Sequence, residues 1–145
     1  MHPETLFSAS GKLAMAGWAL LVFAARWRWS QRVASTIIPL MLAIVNLVLI
    51  VLYFAKSPGG FGTLAQVTQL FQNPWLLVAG WIHYLAFDLF LGAWQVGQAQ
   101  RLGISHFLVI PCLLLTFLFG PVGLFVFWTI RSAIERRLFL KMDGE

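Results

Sequence analysis

The stretch Asn73-Pro74-Trp75-Leu76-Leu77-Val78-Ala79-Gly80-Trp81-Ile82-His83-Tyr84-Leu85-Ala86-Phe87-Asp88-Leu89-Phe90-Leu91-Gly92-Ala93-Trp94 is apolar over the roughly 20 residues that a helix needs to cross a bilayer, yet it carries a histidine and an aspartate near its middle. Asn73-Pro74 supplies an N-cap and a proline at the first helical position, so the start of this helix is well marked. A titratable side chain at bilayer depth is costly unless it faces a bundle interior or a wet cavity. Position alone therefore makes Asp88 and His83 candidate functional groups.

Three further apolar runs flank this one, giving predicted spans at about 6–25, 35–54, 73–98 and 104–130 of a single transmembrane domain covering residues 1–145. With 60% hydrophobic and 10% charged residues, the chain has too little polar surface to cover a soluble globule. The runs are continuously apolar rather than alternating, which favours an all-α, multi-pass integral membrane protein over a β-barrel. The expected architecture is a four-helix bundle whose fourth helix is kinked, because Pro111 and Gly120-Pro121-Val122-Gly123 interrupt the last run. A short interfacial helix is expected between spans two and three. There Leu64, Val67, Leu70 and Phe71 recur at helical spacing after the turn cluster Lys56-Ser57-Pro58-Gly59-Gly60.

An even number of spans puts both termini on one face, and the basic residues do not orient them. Arg26, Arg28, Arg32 and Arg101 stand on one side, against Lys56, Arg131, Arg136, Arg137 and Lys141 on the other. The tail from Arg131 to Lys141 reads as a helical extension into the headgroups. The net charge of +5 is carried at helix ends, where anionic lipid accounts for it without nucleic acid. The single cysteine, Cys112, rules out an intramolecular disulfide and reads as a small buried hydrophobe. Met1-His2-Pro3-Glu4 lacks the basic start of a secretory signal, so the first helix is expected to be retained. No transit peptide is recognisable, and the expected location is a bacterial inner membrane.

At about 1.5 Å per residue, Asn46, Asp88 and Thr116 fall at one depth, with Lys12 close to the same plane and Tyr84, His83 and Gly120-Pro121 about a turn away. Tyr84, Asp88, Gly92 and Gln95 recur at i, i+4, i+8 and i+11 and form one stripe, while His83, Phe87 and Trp94 take the adjoining face. One reading is a buried pocket in which Asp88 is an acid or base, His83 a proton shuttle and Tyr84 a hydrogen-bonding partner. Asn46, Trp81, Gly92, Gln95, Thr116, Gly120 and Pro121 would then line the substrate. The competing reading is interhelical glue, with Asp88 paired to Lys12. No metal site is expected, since His83 and Asp88 stand about 140° apart around the helix and do not converge. The 13 Phe and 7 Trp exceed what anchoring requires and suit the lining of a long apolar ligand.

The segments Gly80 to Gly92, Pro111-Cys112-Leu113-Leu114-Leu115-Thr116-Phe117 and Gly120-Pro121-Val122-Gly123 ending at Arg131 resemble the abscisic acid-deficient 4-like family, as do Glu4-Thr5-Leu6-Phe7 and the Trp-Arg-rich end of the first span. The resemblance runs over nearly the whole chain. Plant members are associated with neoxanthin synthesis, so it implies a plastid-membrane isomerisation of violaxanthin to neoxanthin, with one epoxide opened, a neighbouring double bond turned into an allene, and no cofactor. Bacteria generally do not make neoxanthin, so what carries over is a neoxanthin synthase-like action on a carotenoid or related isoprenoid. The implied partners are bilayer lipids, carotenoid-pathway enzymes or further copies of the chain. A non-catalytic lipid- or pigment-binding subunit is the alternative, and a small transporter the third.

Overall fold

Proline opens three of the helices in this computed structural model, which describes residues 2–135. At a first helical position its missing N–H is one that a helix leaves unbonded anyway, and its fixed φ already suits the helix. Among the described residues there are six helices: α1 (Pro3–Phe23), α2 (Arg28–Lys56), α3 (Leu64–Phe71), α4 (Pro74–Arg101), α5 (His106–Phe119) and α6 (Pro121–Glu135). The described residues hold no strand. Asn73 caps α4 by accepting the Trp75 N–H at 3.0 Å, and Thr63 caps α3 by accepting the Gln66 N–H at 3.2 Å.

Three helices, α1, α2 and α4, are long and apolar enough to cross a membrane. The second begins earlier than the apolar run suggests, because Arg28 to Arg32 is already helical and only a short turn separates it from α1. Arg28 and Arg32 lie over the Trp29 ring at 5.8 and 5.2 Å, so the cation–indole cluster is part of the helix rather than a loop. Pro39 lies inside α2, not at its start. The turn before it, Val33–Ile37, is widened, and the Ile38 N–H reaches back to the Val33 carbonyl. A widened turn of this kind relieves the clash between a proline ring and the preceding turn.

The core is organised around α4. Gly17 of α1 receives Leu89, and Trp18 covers Gly92, where an added Cβ would come within 2.7 Å of the indole. Tyr53 stacks on Trp75 at 5.2 Å and ties the end of α2 to the start of α4. Phe7 meets Trp81 at 5.2 Å, while Gln100 donates to the Ala25 carbonyl at 2.7 Å. Helix α1 therefore runs parallel to α4, with α2 antiparallel between their ends.

The last apolar run departs from expectation. It is not a kinked crossing helix but two half-length helices folded against each other. Helix α5 has 14 residues, about 21 Å, and reaches only mid-depth beside α4. Gly120 then takes φ 41°, a conformation that favours glycine. Gly123 presses so closely on Thr116 and the Cys112 carbonyl that no Cβ fits between them. The returning helix brings Phe127 and Trp128 against Trp94 at 5.7 and 6.0 Å, nearer the Arg101 end of α4 than Asp88 is. A kink would have carried these residues the other way.

With three helices long and apolar enough to cross a membrane and a doubled-back pair, the two ends of the described chain lie at opposite ends of the bundle, which departs from the expectation of a shared face. Arg131, expected among headgroups, is buried, paired with Glu135 and set over the Trp128 ring at 5.4 Å. The rest of the expected tail helix, from Arg136, lies outside the described residues.

Reporter fusions test this topology. Reporters placed at His2 and after Glu135 should score on opposite sides of the membrane, with one inserted at Gly103 matching the one after Glu135. Equal scores at His2 and Glu135 would restore four crossings.

Candidate functional site at the hairpin tip

Asp88 stands close to the midpoint of the 28-residue α4, with 8% of its surface exposed. It faces the point where α5 turns into α6. A Cβ built on Gly120 would lie 2.8 Å from Asp88 Oδ1, so this position requires glycine for its contact as well as for its φ. Asp88 Oδ2 has no hydrogen-bond partner among the described residues. The carboxyl group lies at the N-terminal end of α6, which carries partial positive charge. One turn earlier on α4, the Tyr84 hydroxyl stands beside the Asp88 carboxyl group and donates to the Phe117 carbonyl at 3.2 Å. Tyr84 in turn stacks on Trp81 at 5.5 Å. A phenol with one proton and two acceptors in reach is built to switch between them.

The predicted stripe does face the interior, but its members divide the work. Gln95 donates through Nε2 to Thr116 Oγ1 at 2.9 Å, and Thr116 Oγ1 donates to the Cys112 carbonyl at 2.8 Å. Both side chains are fully buried, so this clamp fixes α5 to α4 and leaves neither group free for a ligand. Gly92 makes room for Trp18. Of the expected lining, Gly120 is buried at the tip, Pro121 is exposed there, and Trp81 is part of the wall below it.

Three expected neighbours do not join Asp88. His83 is exposed on the outer face of α4, where its ring packs on Phe87 at 4.6 Å. A residue five before Asp88 leaves the helix on another side, and nothing in α5 bends it back. Lys12 is exposed on the side of α1 away from Ala14, Gly17, Trp18 and Leu21, and no ion pair links it to Asp88 among the described residues. Equal depth did not mean equal azimuth. Asn46 is half-buried on α2 and makes no hydrogen bond among the described residues.

No three His, Cys, Asp or Glu side chains converge as metal ligands among the described residues. A separate cavity of about 700 Å³ lies at the Arg101 end, lined by Arg26, Gln100 and His106 among others. Gln100 and His106 are already engaged there with carbonyls at the end of α1. Neither Asp88 nor Tyr84 lines it. Two features were missed from the sequence: the contact between Gly120 and Asp88, and the aromatic wall that joins Phe7 and Trp81 to Tyr84.

A family model described as ABA DEFICIENT 4-like matches residues 5–127 of the chain. No curated protein and no solved structure matches it.

The clamp and the turn each make a measurable prediction. Thr116→Val or Gln95→Leu alone strands a buried polar partner and should cost about 1–3 kcal/mol in detergent unfolding, whereas the double variant should recover part of that loss. Gly120→Ala should cost about 1–3 kcal/mol through its forced φ, plus the clash with Asp88. Wild-type stability in Gly120→Ala would mean that the turn has another conformation.

Proposed function

Since the chain belongs to the ABA DEFICIENT 4-like family, we propose that it acts on a carotenoid or related isoprenoid within the membrane, by a cofactor-free isomerisation in which Asp88 and Tyr84 move the proton. The observation that carries this reading is the buried Asp88 carboxyl group, with a free Oδ2, beside a tyrosine hydroxyl at the tip of a helical hairpin. An isomerisation of this type needs one proton delivered to an oxygen of the substrate, an epoxide oxygen in the neoxanthin case, and one removed from a neighbouring carbon. Atoms and electrons balance without a redox partner. Asp88 in its protonated form delivers the first, and the carboxylate so produced takes the second, with Tyr84 hydrogen-bonded to whichever oxygen carries the negative charge. His83, turned outward, has no part in this scheme.

The outward His83 also favours a second reading. With one carboxyl group and one phenol as the only titratable pair, the site is also suited to holding an oxygenated ligand for a partner enzyme without transforming it. Pigment chromatography of carotenoid-producing cells separates the two. Wild type should change the pigment profile, and Asp88→Asn, which keeps the shape but cannot exchange a proton, should lower conversion by about 100-fold or more. Tyr84→Phe should lower it less, and His83→Ala should leave it unchanged. A wild-type protein that retains pigment but alters none selects the binding reading, and Asp88→Asn with full conversion removes Asp88 from the chemistry.

A further inference from the structure

The hairpin fills the space beside α4 only from the Arg101 end down to Asp88. Below its tip no helix takes over, and side chains of α1, α3 and α4 stand open: Phe7 is 46% exposed, Trp81 39%, Leu77 55% and Phe71 39%. Together with Val78 and Gly80 they line a groove of about 410 Å³ with no charged side chain in it. This volume is within the roughly 300–1,000 Å³ of sites that take small organic ligands. One residue of the groove touches the Asp88 site. Trp81 forms its wall, meets Phe7 at 5.2 Å on one side, and stacks on Tyr84 at 5.5 Å on the other.

Resting on the reading of Asp88 and Tyr84 above, we infer that this groove holds the apolar chain of the ligand, which enters sideways from the acyl region of the bilayer half at the Pro3 end, with its oxygen-bearing end at Asp88. The geometry sets the ligand class. From Gly80 to Asp88 the helix rises about 12 Å, so the ligand must be extended, apolar for at least that length, and polar at the end that reaches the tip. A compact or water-soluble substrate does not fit an opening that faces lipid. Aromatic walls suit the flat face of a conjugated chain by stacking at low entropic cost.

Gly80 sets the width of the groove. A Cβ there would lie 2.7 Å from Cε1 of Phe71, so the Phe71 ring rests on bare backbone of α4 and closes the outer side. A side chain at this position forces the ring outward or fills the groove itself.

The experiment uses the full chain in lipid nanodiscs, loaded with zeaxanthin as an extended polyene with hydroxylated ends, and reads retained pigment by absorbance after gel filtration, with bound phospholipid by native mass spectrometry. Wild type should retain pigment. Gly80→Val should retain at least about 10-fold less, and Gly80→Val combined with Phe71→Ala should recover retention, because deleting the ring makes room again and shows that the single variant was folded. Retention by Gly80→Val equal to wild type, or phospholipid acyl chains as the sole occupant of the wild-type groove, overturns the inference. The failures are separable: loss of conversion in Asp88→Asn with retention indifferent to Gly80 removes the groove and keeps the chemistry, whereas Gly80-dependent retention with full conversion in Asp88→Asn does the reverse.

Discussion

The approach of Gly120 to Asp88 is the contact on which the middle of the molecule depends. A carboxyl group at mid-depth needs something other than lipid beside it, and a helical hairpin that stops at mid-depth needs a reason to stop. Each supplies the other. The turn at Gly120 presents bare backbone and the start of α6 to the carboxyl group, and the carboxyl group occupies the space that any side chain at residue 120 would take. Unwound backbone inside a membrane is tolerated only where protein or a cavity surrounds it, and here α4 surrounds it on one side while the polar site takes the other.

The clamp of Gln95, Thr116 and the Cys112 carbonyl serves the same end one turn and a half higher. It is a closed set of hydrogen bonds in which donors and acceptors are consumed locally, so it fixes the hairpin against α4 without offering a ligand anything. Gly123 does the corresponding job between α5 and α6 by removing a side chain where two backbones meet. Small residues and short hydrogen-bonded polar pairs are what hold helices together where the solvent is itself apolar. The polar side chains that meet at the hairpin therefore fall into two kinds: Gln95 and Thr116, which bond each other and pack, and Asp88, whose Oδ2 has no hydrogen-bond partner among the described residues.

Which parts of this were legible in the sequence follows from what each signal encodes. Helix α4 could be read to within a few residues, because a capping asparagine, a first-position proline and a long apolar run all agree. The interfacial α3 was visible from the spacing of Leu64, Val67, Leu70 and Phe71, and the break at Gly120 from its proline and glycines. The reversal was not legible there. Gly120-Pro121-Val122-Gly123 marks an interruption, but whether the chain kinks or folds back depends on the φ of one glycine and on whether Gly123 can seat on Thr116, which are tertiary facts. Azimuth was lost in the same way. Counting residues placed Lys12, His83 and Asp88 at similar depths, and only packing showed that two of them point outward. Phe7 and Phe71 carried no signal at all as site residues, since they lie far from Asp88 in sequence and meet it through Trp81 and Tyr84.

A hairpin that ends halfway along α4 also leaves the two sides of a buried carboxyl group unlike each other. From the Arg101 end the path to Asp88 is closed by Val96, Val109, Cys112 and Leu113, all buried to within 1% of their surface, and by the Gln95–Thr116 pair. Toward the Pro3 end no helix among the described residues continues the hairpin beside α4, and Phe7, Phe71 and Trp81 are partly exposed there. Water is thus excluded on the covered side. An electrostatic interaction made in such a place is stronger than the same interaction in water. It is the asymmetry of the hairpin, rather than any one residue, that makes the two sides of Asp88 unlike each other.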